Sequence, residues 1–168
     1  MYPLRGVLSE GINIENCFFT GTHTLFAGGA INNSGHLTIN NTEIVDNSSG
    51  LGGAIYNDGS LTISSSIIRR NIGKNEFDVV EGNDIYSRGV LTITDEQSAD
   101  EGFYEETTGE KLALPLMDYT GIARLTYLTY EEAAEYFPPE QSPEGEDKDN
   151  PAENPDNTDQ DIPQKPEQ

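Results

Sequence analysis

The chain has 168 residues, room for one domain of about 100–150 residues and an appendage. Its formal charge is −21, with nine Lys and Arg against thirty Asp and Glu. No basic stripe is present for a phosphate backbone or an anionic membrane surface to engage, which excludes nucleic acid and such membranes as expected partners.

The first ten residues, Met1 to Glu10, include Val7 and Leu8 but lack the apolar core of a signal peptide. No stretch approaches the ~18 consecutive apolar residues of a membrane-spanning helix, so membrane insertion by this chain is not expected. Cys17 is the sole cysteine. It has no partner for an intrachain disulfide and no C-x-x-C context, and is expected as a small buried thiol.

Self-similarity organises the next stretch. Residues 28–47 and 52–71 both open with Gly-Gly-Ala-Ile and align without a gap at a spacing of 24. Ile31 matches Ile55, Gly35 matches Gly59, Leu37 matches Leu61, Ile39 matches Ile63, Ile44 matches Ile68 and Asn47 matches Asn71. A third copy runs through Gly82, Ile85, Gly89, Leu91 and Ile93, after an insertion around Asn75 to Val80. A degenerate earlier copy sets Ile12, Ile14 and Phe19 at the positions of Leu37, Ile39 and Ile44.

Abundant Gly and Asn, recurrent β-branched residues and the period-two Leu-Thr-Ile argue against helix in these copies. Each copy supplies short strands separated by Gly/Asn/Ser turns, and one copy cannot bury its own apolar side chains. Stacking with parallel pairing solves this, so residues 1–98 are read as about four short coils of an all-β, parallel β-helix. Leu37, Leu61 and Leu91 are expected as one inward column, Ile39, Ile63 and Ile93 as a second, and Ile31, Ile55 and Ile85 as a third. Gly35, Gly59 and Gly89 are expected at turns with φ > 0. Asn33 with Asn57, and Asn47 with Asn71, are expected to hydrogen-bond along the stack.

Residues 99–137 lose the pattern and are read as a capping segment. Lys111 to Met117 is expected to close over the open end of the stack, with Pro115 at an edge. Thr129-Tyr-Glu-Glu132 has the form of a capping box, starting a short helix near 130–137 that packs through Tyr130, Ala133, Ala134 and Phe137. From 138 to 168 the chain holds seven prolines and ten acids, the composition of a disordered tail.

The Gly-Gly-Ala-Ile blocks at Gly28 to Ile31 and Gly52 to Ile55 each have a following partner motif, Ile44 to Asn47 and Ile68 to Asn71. Together they resemble the repeats of the chlamydial polymorphic outer membrane proteins and related bacterial adhesin-like β-helix proteins. The usual Phe of the second motif is Ile here, and the third copy reads Gly82-Asn-Asp-Ile85. The resemblance covers residues ~12 to 95. It implies a right-handed coil, an extracellular or cell-surface location, and adhesion or structural display toward a glycan or a host or cell-surface protein. It brings no catalytic residues. Four coils give a stack only about 19 Å tall. Val7, Leu8, Ile12 and Ile14 would then face an open end unless residues 1 to 10 cross it, so the chain is expected to be part of a longer protein.

The β-helix is also the fold of polysaccharide lyases and hydrolases, so the alternative is the remnant of such an enzyme. An active site of that kind needs acids and bases converging from successive coils. Asp58 with Arg88, in the column of Ser34, is the best candidate cluster, followed by Asp46 over Arg70. Asp84 has no acidic counterpart at Ala30 or Ala54. The chain is therefore read as non-catalytic, with an ion pair at Asp58 and Arg88. His23 and His36 share no column, and neither a metal nor another cofactor is expected. Tyr56 above Tyr86 forms a small aromatic platform for a sugar ring, flanked by Asp58 and Arg88. Thr38, Thr62 and Thr92 make an outward hydroxyl column.

Overall fold

A computed structural model describes residues 11–74, 82–95 and 100–138. Within these the chain is β-rich. The first three strands are β1 (Ile12–Glu15), β2 (Phe18–Thr20) and β3 (Ile31–Asn33). Next come β4 (His36–Asn40), β5 (Glu43–Val45), the two-residue β6 (Ser48–Ser49) and β7 (Ile55–Asn57). The same order returns in β8 (Ser60–Ser64), β9 (Ile67–Arg69), β10 (Ile72–Gly73) and β11 (Ile85–Ser87), and β12 (Val90–Ile93) follows. Beyond it lie β13 (Glu101–Glu105), β14 (Leu116–Thr120), β15 (Ala123–Thr129) and the helix α1 (Tyr130–Tyr136).

Parallel pairing joins β1, β4, β8 and β12 in one sheet, β2, β5 and β9 in a second, and β3, β7 and β11 in a third. The register follows the sequence columns: Ile12 lies beside Leu37, Leu37 beside Leu61 and Leu61 beside Leu91. Ile14, Ile39, Ile63 and Ile93 line up in the same way, as do Ile31, Ile55 and Ile85. Period-two alternation sends these side chains inward, where Ile39, Ile55, Leu61, Ile68, Ile85 and Leu91 are fully buried. Each such side chain contributes about 1.5–3 kcal/mol of burial, so the columns dominate the core.

Two sheets are mixed rather than purely parallel. β14 runs antiparallel to β12, β15 runs antiparallel to β11, and β13 runs antiparallel to β15. The segment closing this end is thus wider than the stretch from Lys111 to Met117 expected for it. Leu112, Leu114 and Leu116 do pack on the core, but Phe103 and Leu125 are the fully inserted residues. Pro115 immediately precedes β14, where its missing N–H interrupts no ladder. Reversing the strand direction satisfies the last parallel edges without another coil.

At the opposite end β1, β2 and β3 are the outer strands of their sheets among the described residues. Ile12, Phe18, Leu25 and Phe26 are exposed there, Phe26 at 82%. Residues 1 to 10, the alternative to a continuation of the protein at this end, lie outside the described residues. So do the insertion around Asn75 to Val80 and, beyond Pro138, the acidic tail.

Three local expectations need correction. Gly35, Gly59 and Gly89 do not take φ > 0; the left-handed positions are Gly28, Gly52 and Gly82, which open each copy. Gly59 and Gly89 are required for another reason, close stacking, since a Cβ on either would collide with the carbonyl of the glycine in the preceding coil. Cys17 is exposed, because it falls in the turn between β1 and β2 rather than in a wall. The capping box at Thr129 forms with both reciprocal bonds, but only Ala133 of the helix is buried. Tyr130 is 70% exposed and Ala134 is exposed, while Phe137 packs near Tyr104 with ring centroids 6.2 Å apart.

Candidate functional site

Tyr56 and Tyr86 occupy paired positions of β7 and β11 and stack at 5.7 Å with an interplanar angle of 4°. The register alone brings them together, as the columns predict. The platform is not open, however. β15 lies beside β11 and sets the Arg124 guanidinium 5.5 Å from the Tyr86 ring centroid, leaving Tyr86 only 9% exposed. A sugar could reach Tyr56, which is half-buried, but not the face of Tyr86.

Asp58 and Arg88 follow their strands by one residue and meet as an ion pair, Arg88 Nε to Asp58 Oδ1 at 3.2 Å, each side chain about half exposed. Asp46 and Arg70 form a closer bidentate pair, with Nε and Nη2 donating at 3.0 and 2.8 Å. The Arg70 guanidinium holds the Asp46 carboxyl below its ordinary range. Both pairs join neighbouring coils on the surface, where solvent screens the attraction and such contacts contribute little to stability. The outward hydroxyl column is also interrupted: Thr92 is buried beneath β14 and exchanges hydrogen bonds with Asp118.

Inside the stack the asparagines form two columns. Thr22 donates from N and Oγ1 to Asn47 Oδ1, at 3.0 and 2.6 Å. Asn47 donates from N and Nδ2 to Asn71 Oδ1, at 2.9 and 3.0 Å. Asn71 repeats the pattern onto Asp84 Oδ1, at 3.1 and 2.7 Å. In the second column Asn33 Nδ2 donates to Asn57 Oδ1 at 2.8 Å, and Asn57 Nδ2 donates to Ser87 Oγ at 2.9 Å. All of these except Thr22 are buried, so each bond also removes the cost of an unpaired interior polar group.

Asp84 is the residue whose role the sequence did not disclose. It is 1% exposed, and its Oδ2 accepts the N–H of Tyr127 at 2.6 Å. Burial pushes its carboxyl up to about 7 against the three N–H donors, and the nearby Glu106 pushes the same way. Burial also raises Glu106, whose oxygens accept the N–H groups of Gly82 and Asn83 at 2.8 and 2.6 Å. The only sequence sign was the departure from alanine at this column. It marks the point where the stack gives way to the cap.

Beside Asp84 a cleft of about 530 Å³ opens between β9, β15 and α1. Glu101, Glu132, Glu135 and Tyr136 line it on the cap side, and Arg69 and Arg70 on the stack side. Tyr136 accepts a hydrogen bond from Asn83 Nδ2 at 2.7 Å through its hydroxyl. Burial and the bonded Glu101 carboxylate push the Tyr127 phenol up to about 12. Arg69 carries the cleft's unusual atom, an Nε that is buried with no hydrogen-bond partner among the described residues. In the preceding coil its position belongs to Val45, a buried wall residue, so the exchange of Val for Arg was the available sequence signal. Among the described residues no group of three or more His, Cys, Asp and Glu is placed to hold a metal ion. No family model, curated protein or solved structure matches the chain.

Proposed function

We propose that the chain is a right-handed parallel β-helix module, non-catalytic, serving as a rigid surface or secreted scaffold for adhesion or structural display. The observation that carries this reading is the parallel register maintained across three sheets. Leu37, Leu61 and Leu91 lie side by side in one of them while internal amide columns run between the coils. Such a stack fixes each surface residue relative to its neighbours in adjacent coils, the property a stalk or an adhesive face needs. The partner class is a glycan or a protein of another cell's surface, and the location is extracellular.

A second reading, the remnant of a polysaccharide lyase or glycoside hydrolase, draws on the Asp58–Arg88 pair in adjacent coils. One experiment separates the two: the full chain is applied to a glycan array and incubated with acidic and neutral polysaccharides. Retention without release of reducing or unsaturated ends is the expected result. Depolymerisation that disappears in Asp58→Asn would overturn the scaffold reading.

A further inference from the structure

We infer that the open end of the stack, formed by β1, β2 and β3, docks a second copy of this chain face to face, outer strands meeting outer strands antiparallel. This goes beyond the scaffold reading and does not depend on what the scaffold displays. Among the described residues each of the three strands is the outer member of its sheet, presenting one edge of backbone N–H and C=O groups with no neighbouring strand. Ile12, Phe18, Leu25 and Phe26 are exposed on the same coil, at 61% or more.

Geometry and charge select a second copy. The free edges belong to three sheets around one coil, so an extended peptide would cover one and leave two, whereas a second copy brings three outer strands at the same spacing. Turning a copy over reverses the sense in which its strands run round the coil, so the two ends meet antiparallel. Coil edges of this chain already accept that pairing at the other end, where β14 lies against β12 and β15 against β11. Residues 11–35 hold Glu15 as their only acid and no Lys or Arg, while residues 100–138 hold nine acids against Lys111 and Arg124. Contact through β1, β2 and β3 therefore meets little repulsion and keeps the acidic caps apart, in a chain of net charge −21. The cap end is guarded against such pairing. Lys111 and Leu112 bond along the outer edge of β13, while Pro115, the bulge opposite Leu91 to Ile93 and the left-handed Asp118 interrupt β14. β1, β2 and β3 carry neither proline nor lysine. With the other end closed, association stops at a pair.

The test follows the mass of the full chain by sedimentation velocity from about 1 to 200 μM, with amide hydrogen exchange at both limits. We expect a monomer–dimer equilibrium with no larger species, and β1 amides that gain protection as the dimer forms. Ile12→Lys and Phe26→Lys, at exposed positions of the docking end, should each weaken association at least about tenfold. Met117→Lys, exposed at the cap, should leave it unchanged. Exchange in β8, in the middle of the stack, reports whether each variant is folded. Association that survives both end variants, or that Met117→Lys alone abolishes, would overturn the docking surface. A monomer at every concentration would overturn the second copy. Freely exchanging β1 amides in that monomer would mark an end that further coils complete, and protected ones an end that residues 1 to 10 cover.

Discussion

Asp84 offers the sharpest test of how the stack is joined to its cap. In the folded chain its carboxyl titrates at about 7, against an ordinary 3.8 when unfolded. Below about pH 4 both states carry the proton, between about 4 and 7 the folded state alone carries it, and above 7 neither does. The folded state therefore binds more protons across that window, and stability falls as pH rises through it. At about 1.4 kcal/mol per pH unit the loss amounts to about 4 kcal/mol. Asp84→Asn removes this titration. The amide oxygen still accepts from Asn71, but the amide nitrogen then faces the Tyr127 N–H, a donor conflict costing about 1–3 kcal/mol at every pH. Urea unfolding of both proteins from pH 4 to pH 8 at fixed ionic strength isolates the effect, because general repulsion among the other acids cancels in the difference. The wild type should be the more stable at pH 4, with its advantage shrinking by about 4 kcal/mol toward pH 8. A difference that is flat, or that grows with pH, would refute the reasoning. The three N–H donors would then outweigh burial and hold Asp84 ionised throughout.

Gly59→Ala drives a methyl group onto the Gly35 carbonyl oxygen and should cost at least about 2 kcal/mol in the same urea assay, whereas Gly35→Ala, with open space around it, should stay within about 1 kcal/mol of wild type. Equal effects at the two sites would show that close coil stacking is not what requires Gly59. Asn57→Ala removes the amide between Asn33 and Ser87 and should cost about 1–3 kcal/mol, with faster amide exchange at Gly59, whose N–H bonds the Asn57 side chain; unchanged exchange there would contradict the column. Thr129→Ala deletes the acceptor for the Glu132 N–H and should lower stability by about 1 kcal/mol, with proteolysis detecting a looser helix α1. A helix equally resistant in the variant would mean that packing at Ala133 and Phe137, not the cap, holds it.

The columns were legible because each coil repeats the same burial problem. An inward Leu or Ile recurs at each copy, so Leu37, Leu61 and Leu91 could be placed from spacing alone, and the stacking of Tyr56 on Tyr86 followed. The cap was not legible for the converse reason. β13, β14 and β15 occur once, and nothing in Glu101 to Glu105 or Ala123 to Thr129 repeats to reveal a partner. The same gap hid the covering of Tyr86, which depends on Arg124 in a strand that no spacing rule foretells. The glycines were misassigned because both sets recur equally. They differ only in backbone conformation and surroundings: Gly28, Gly52 and Gly82 take the left-handed conformation, while Gly59 and Gly89 yield to a neighbouring carbonyl. The cleft escaped because its walls, Arg69 and Glu135, lie far apart in the chain.

The interior amide columns also have a polarity. The bonds linking successive side chains in them, from Thr22 through Asn47 and Asn71 to Asp84 and from Asn33 through Asn57 to Ser87, all donate toward the later coil. An asparagine receives on its oxygen and gives from its nitrogen, so it can be followed by another asparagine without limit. Once ionised, above about pH 7, the Asp84 carboxylate receives and cannot give. Length in this architecture is thus written in functional groups: an amide hands the pattern on, and the acid ends it. Duplicating one 24-residue unit between Asn47 and Asn71 would lengthen the stack while leaving both termini of the column chemically unchanged.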